Sequence, residues 1–99
     1  MTVELTEQFA LRGEEVGLEQ AEQLKSAGVA LIESESGPFT VDLANLVRAN
    51  SVTVAVLVCW YRHATLRQKS IMFVNLSDDL HDIVEFSGLS DVLLPQSIS

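Results

Sequence analysis

The chain has a single cysteine, Cys59, among its 99 residues, so no disulfide can close within it and a reducing, cytoplasmic setting is expected. Basic residues are scarce: six Lys and Arg stand against fourteen Asp and Glu, a formal charge of −8 with a pI near 4.4. Such a surface repels phosphate backbones and anionic head groups, which argues against nucleic-acid binding and against electrostatic attachment to a membrane. No apolar run reaches the roughly 20 residues of a spanning helix, since the longest, Val52 to Tyr61, is too short and carries Thr53 inside it. The opening Met-Thr-Val-Glu-Leu-Thr-Glu lacks the basic and apolar regions of a signal peptide, which again points to the cytoplasm. A glycine-rich phosphate loop, a nucleophile elbow and a metal-binding motif are all missing. The expectation is a protein that is not an enzyme, with no catalytic residue, no metal site and no cofactor.

What the chain has in quantity is apolar side chains. They make up 47% of the sequence, with a mean hydropathy of +0.26. A chain of this length builds one core, so a single domain over residues 1–99 is expected. The surplus of apolar residues implies exposed apolar surface, available to a partner or to self-association.

The stretch from Arg48 to Gln68 organises the rest. Asn50 and Ser51 are N-cap residues that can satisfy backbone N–H groups of a first helical turn; Arg62 and Arg67 suit the negative end of the helix dipole. The valines at 52, 54, 56 and 58 are also compatible with a buried strand. Length decides for a helix from Ser51 to about Gln68, buried on most sides.

Before it, Val3, Leu5, Phe9 and Leu11 alternate with polar or small residues around Glu7-Gln8, the pattern of a two-strand hairpin. Leu18, Ala21, Leu24, Gly28, Leu31 and Ile32 recur at helical spacing, predicting an amphipathic helix from Leu18 to about Glu35 in which Gly28 costs about 1 kcal/mol relative to alanine. Gly37-Pro38 ends it. Phe39 to Leu43 predicts a short strand, and Ser70 to Leu76 a strand covered on both faces. Ser77 caps a last helix that opens with Asp78 and Asp79 and stops at Gly88; Leu89 to Pro95 is expected to add a helical turn. The order is β-β-α-β-α-β-α, an α/β fold with a mixed sheet of about four to five strands and three to four helices against it.

These segments resemble the STAS domain, the fold of anti-sigma-factor antagonists and sulfate-transporter tails. The resemblance rests on Val41-Asp42-Leu43, on Arg48-Ala49-Asn50-Ser51 followed by an apolar helix with Trp60-Tyr61-Arg62, on Phe73-Val74-Asn75-Leu76, and on Leu80 to Leu94. It runs from about Phe9 to Pro95, and within the family it is nearest to the stand-alone STAS subunits of Mla-type phospholipid transporters of Gram-negative bacteria.

The resemblance implies a cytoplasmic accessory subunit, peripheral to the inner membrane, that binds the ATPase subunit of a Mla-type ABC transporter and so serves outer-membrane lipid asymmetry. An anti-sigma-factor antagonist switched by phosphorylation of Ser51 is the alternative that it implies. Ser51 stands at the family's serine or threonine position, and Asn50, Ser51 and Thr53 become the candidate partner-binding residues. Asn50 replaces the usual aspartate, and Val52 and Thr53 replace small residues, which stiffens the loop a kinase would grip.

The remaining candidates have plain structural readings. Cys59 reads as a small buried side chain, Trp60 and Tyr61 as core or interface aromatics, His63 and His81 as solvated or helix-end residues, and Asp78, Asp79 and Asp82 as complements to a helix dipole.

Overall fold

The computed structural model describes residues 3–6 and 8–93. In chain order the elements are β1 (Glu4–Leu5), β2 (Ala10–Gly13), α1 (Leu18–Ser34), β3 (Phe39–Leu46), α2 (Ser51–Leu66), β4 (Ile71–Val74), α3 (Asp78–Phe86) and α4 (Ser90–Leu93). The strands form one mixed sheet in the order β1-β2-β3-β4. β1 and β2 are the antiparallel hairpin; β2–β3 and β3–β4 are parallel, with α1 and α2 as the crossovers that parallel pairing requires. Leu94 and Pro95, the end of the expected last turn, lie outside the described residues.

One face of the sheet is dry. Leu11, Val41, Leu43 and Phe73 point from it into a core shared with Leu24 and Ile32 of α1, Val56, Leu57 and Trp60 of α2, and Leu80 and Val84 of α3. The opposite face carries Glu4, Arg12, Thr40, Ala44 and Met72, all exposed. Period-two alternation along β3 places Phe39, Val41 and Leu43 inward, and strict alternation would then turn Leu46 outward. A register shift prevents this: β2 advances two residues from Ala10 to Arg12 while β3 advances three, from Asp42 to Asn45. The bulge returns Leu46 to the core, where it is buried.

Two expectations about faces change. Ile71 to Val74 is an edge strand with only Phe73 buried, and Met72 is 51% exposed, so it is not covered on both faces. Its apolar run reflects partial burial at the rim of the sheet. Leu18, assigned to the buried stripe of α1, is 79% exposed because it is the first residue of the helix and the stripe that packs begins one turn later, at Ala21.

Gly28 has a packing role. A Cβ there would lie 2.0 Å from Nε1 and 2.2 Å from Cε2 of Trp60, so the indole of α2 rests directly on the backbone of α1. Trp60 is fully buried, donates its indole N–H to the carbonyls of Leu24 and Lys25 at 3.2 Å each, and meets Phe9 edge to face at 5.2 Å. Phe9 itself takes a left-handed φ of 61° at the hairpin corner, which delivers its ring into the core.

Helix ends follow the expected chemistry. Ser77 Oγ accepts from Leu80 N at 3.1 Å. At the other end of α3, Gly88 N bonds to Glu85 O and Leu89 N to Val84 O around a φ of 74° at Gly88, the Schellman arrangement. α2 ends the same way, two residues earlier than Gln68, with Gln68 itself in the glycine-like position at φ 59°.

Candidate functional site

Residues at the start of α2 have divided roles. Asn50, in extended backbone, is the cap: its Oδ1 accepts from Thr53 N at 2.9 Å and from Thr53 Oγ1 at 3.1 Å. Its Nδ2 donates to Val16 O at 3.0 Å and to Glu15 Oε2 at 2.9 Å, tying the helix start to the loop before α1. Thr53 is fully buried, so its hydroxyl serves this cap and faces no solvent. Ser51 is the first residue inside the helix and is exposed. The capping role given to Asn50 and Ser51 together therefore belongs to Asn50 alone: its side chain takes Thr53 N and its carbonyl takes Val54 N, the two N–H groups that a Ser51 cap could use.

These bonds also account for asparagine at position 50. An aspartate there could accept from Thr53 but could not donate to Val16 O, and it would set a second carboxylate against Glu15. The amide resolves both.

The two short motifs that carry the family resemblance touch each other. Asp42 Oδ1 accepts from Asn75 Nδ2 at 3.0 Å and from Ala44 N at 2.9 Å, pinning the parallel strands β3 and β4 together. Those bonds, that from Asn75 foremost, hold the Asp42 carboxyl below its usual pKa. Asn75 sits at φ 60°, a conformation asparagine tolerates better than most residues.

A charged clamp joins α1 to α2 on the far side. Glu33 Oε2 accepts from His63 Nε2 at 2.6 Å and from Arg67 Nε at 2.7 Å; a carboxylate only accepts, so Nε2 carries the hydrogen. The His63 hydrogen bond is the largest of the effects that lower the Glu33 pKa. His63 is thus engaged rather than freely solvated.

His81, Asp82 and Glu85 on α3 are exposed and bring their ligand atoms within 4.8 Å of one another, with Glu85 at the three- and four-residue spacings that neighbour on a helix. Cys59 is half-buried rather than buried. Tyr61 is also half-buried and packs against the core that encloses Trp60.

From Ser51 along the length of α2 runs an open groove of about 610 Å³, lined by Lys25 and Val29 of α1, by Ala55, Cys59, Arg62 and Leu66 among others of α2, and by Leu89 beyond α3. Of its lining the sequence marks only Ser51 as a partner contact, Cys59 and His63 having plain structural readings. The signal was present: Ser51, Ala55, Arg62 and Leu66, at steps of four and seven, form an exposed stripe on a helix whose other positions, Thr65 apart, are buried or half-buried. Among the described residues no helix is long and apolar enough to cross a membrane.

A mixed four-stranded sheet with its helices on one face, and a capped helix start presented beside an apolar groove, define a STAS-type α/β domain. Residues 5–95 match the family model described as "Mlab, STAS domain", and the chain belongs to that family. The model is that of a STAS domain, not of a catalytic domain.

Among solved structures, the chain is similar to a chain of the Acinetobacter MlaFEDB complex in an ATP-bound conformation. The two share 29% identity and a TM-score of 0.70, over 94% of this chain and 97% of the other. A candidate anti-sigma factor antagonist of Thermotoga maritima has the same fold, with TM-score 0.71 and 10% identity over 94% of this chain and 82% of its own. So does the anti-sigma factor antagonist SpoIIAA in its unphosphorylated form, with TM-score 0.63 and 17% identity over 97% and 87% of the two chains. The comparison with curated proteins returned no match.

Proposed function

We propose that this chain is the non-catalytic STAS subunit of a Mla-type ABC transporter. It sits at the cytoplasmic side of the inner membrane of a Gram-negative cell, docks on the ATPase subunit, and supports phospholipid traffic that maintains outer-membrane lipid asymmetry. The observation that carries this reading is the likeness to a chain of the MlaFEDB complex over nearly the full length of both proteins, at a higher identity than to either anti-sigma-factor antagonist. The mechanism is mass action. A subunit that binds only the assembled ATPase stabilises that state, by roughly 2.7 kcal/mol at a hundredfold excess over Kd.

Docking begins at Ser51, the exposed small residue at the start of α2. Asn50 and Thr53 act from beneath, holding the backbone that presents it. Because Asn50 supplies the cap, substitutions at Ser51 leave the cap in place and separate binding from stability. Ser51→Glu adds a charge that the helix N-terminus favours but a packed interface does not accommodate. The expected result is an unchanged or slightly raised Tm of the isolated domain, loss of co-purification with the ATPase, and greater permeability of the outer membrane to detergent. Co-purification equal to that of the parent chain would place the docking site elsewhere. Phosphorylated Ser51 in cells, governing release of an anti-sigma factor, would replace the transporter reading with the regulatory one.

A further inference from the structure

The groove along α2 has a sign opposite to that of the chain. Lys25, Arg62 and His63 are the titratable basic groups that line it, and among the described residues no carboxylate does, although acids outnumber Lys and Arg fourteen to six in the sequence. The neighbouring carboxylates, Glu22 on Lys25 and Glu33 on His63, stand outside the lining. Arg62 forms no ion pair among the described residues. Between these charges the lining is apolar, and Leu66 at its far end is 80% exposed.

Shape agrees with charge. The stripe from Ser51 to Leu66 spans about 22 Å at the rise of an α-helix, close to four turns. A trough of that length, with an apolar floor and a cationic rim, is complementary to an amphipathic helix with acidic flanks. We propose that the docking partner inserts such a helix here, its apolar side on Val29, Val58 and Leu66 and its carboxylates facing Lys25 and Arg62. This inference rests on the docking reading above and adds the chemistry of the segment that docks.

The lone cysteine supplies a probe, since Cys59 is only half-buried and lines the groove. The experiment uses the full-length chain and the ATPase subunit of the same cell's Mla-type transporter. It measures Kd at about 50 and about 300 mM NaCl, salt concentrations that bracket strong screening of exposed charge, and the rate of Cys59 alkylation by iodoacetamide in the free and bound chain. Arg62→Glu is expected to weaken binding at least about tenfold at the lower salt and less at the higher. Ala55→Arg, which fills the trough from an exposed position, is expected to abolish binding, and the complex to slow Cys59 alkylation about tenfold or more. Circular dichroism of both variants checks that the fold is retained.

A complex that forms equally well with Arg62→Glu and Ala55→Arg, and leaves Cys59 alkylated at the free rate, overturns the groove while leaving docking at Ser51 intact. Absence of any complex with the parent chain overturns the docking reading and the groove with it. Two further outcomes overturn the proposal by naming another occupant. Faster alkylation after removal of residues 94–99 would mean the chain's own tail, and slower alkylation as the free chain is concentrated would mean a second copy.

Discussion

Replacing Gly28 by alanine sets two well-measured effects against each other. In an isolated helix the change would stabilise by about 1 kcal/mol, because alanine loses less backbone entropy than glycine. Here the added Cβ would fall 2.0 Å from Trp60 Nε1, 2.2 Å from Cε2 and 2.6 Å from Cδ1, all below any real non-bonded approach. The indole has no free direction in which to retreat, being fully buried, bonded through its N–H to Leu24 and Lys25 carbonyls, and stacked edge to face on Phe9. Overpacking of this kind costs roughly 1–3 kcal/mol. Moving the ring off the two carbonyls strands a buried donor at about 1–3 kcal/mol more.

Less the propensity gain, Gly28→Ala should destabilise by about 1–5 kcal/mol, a sizeable share of the roughly 5–15 kcal/mol typical of a domain. The Tm should fall by roughly 4–8 °C for each kcal/mol lost. Urea titration followed by fluorescence measures it directly, since Trp60 is the chain's one tryptophan. The double variant Gly28→Ala/Trp60→Phe, followed by circular dichroism, should lose at least about 1 kcal/mol less than the sum of the single changes, because the smaller ring removes the clash. A Gly28→Ala chain as stable as the parent, or more so, would refute the close approach of α1 and α2, since only intrinsic propensity would then be at work.

Asn50→Asp, which restores the family's usual acid, should destabilise by about 1–3 kcal/mol in urea titration, because Val16 O loses its donor and two carboxylates meet at Glu15; Glu15→Gln in the same chain should recover part of the loss, and a stabilised Asn50→Asp would count against this account. Asp42 has its pKa lowered in the folded chain, so its contribution is present above the ordinary aspartate value and disappears as pH falls through the folded value. Asp42→Asn should therefore flatten the fall in Tm between about pH 5 and pH 3, and an unchanged acid limb would show that the Asn75 contact contributes nothing. Gln68→Gly should raise stability by up to about 1 kcal/mol by relieving the left-handed backbone after α2, read as a higher urea midpoint with an unchanged slope; no gain would mean the glutamine conformation is unstrained.

The α/β class, the order of elements and the identity of the organising helix were legible in the sequence because each depends on local periodicity and end chemistry. Ser77 before two aspartates and Gly88 after Phe86 mark their helix through backbone groups within a turn of themselves, so no distant contact was needed to find it. The apolar length of Ser51 to Leu66 likewise decided helix over strand.

Three-dimensional packing decided which side each residue faces. Asn50 and Ser51 are equivalent as cap residues by type, and the loop carbonyl of Val16, 34 positions away from Asn50, selects the asparagine. Thr53 is polar by type but ends fully buried, because that cap consumes its hydroxyl. Ile71 to Val74 has the composition of a central strand, and only the sheet order makes it an edge. Gly28 looks like a defect in a helix until Trp60, 32 residues on, is laid across it. The same is true of the groove, whose walls come from α1 and from the turn beyond α3. A floor readable as a stripe on one helix becomes a site only when the fold sets basic side chains from two helices along its rim.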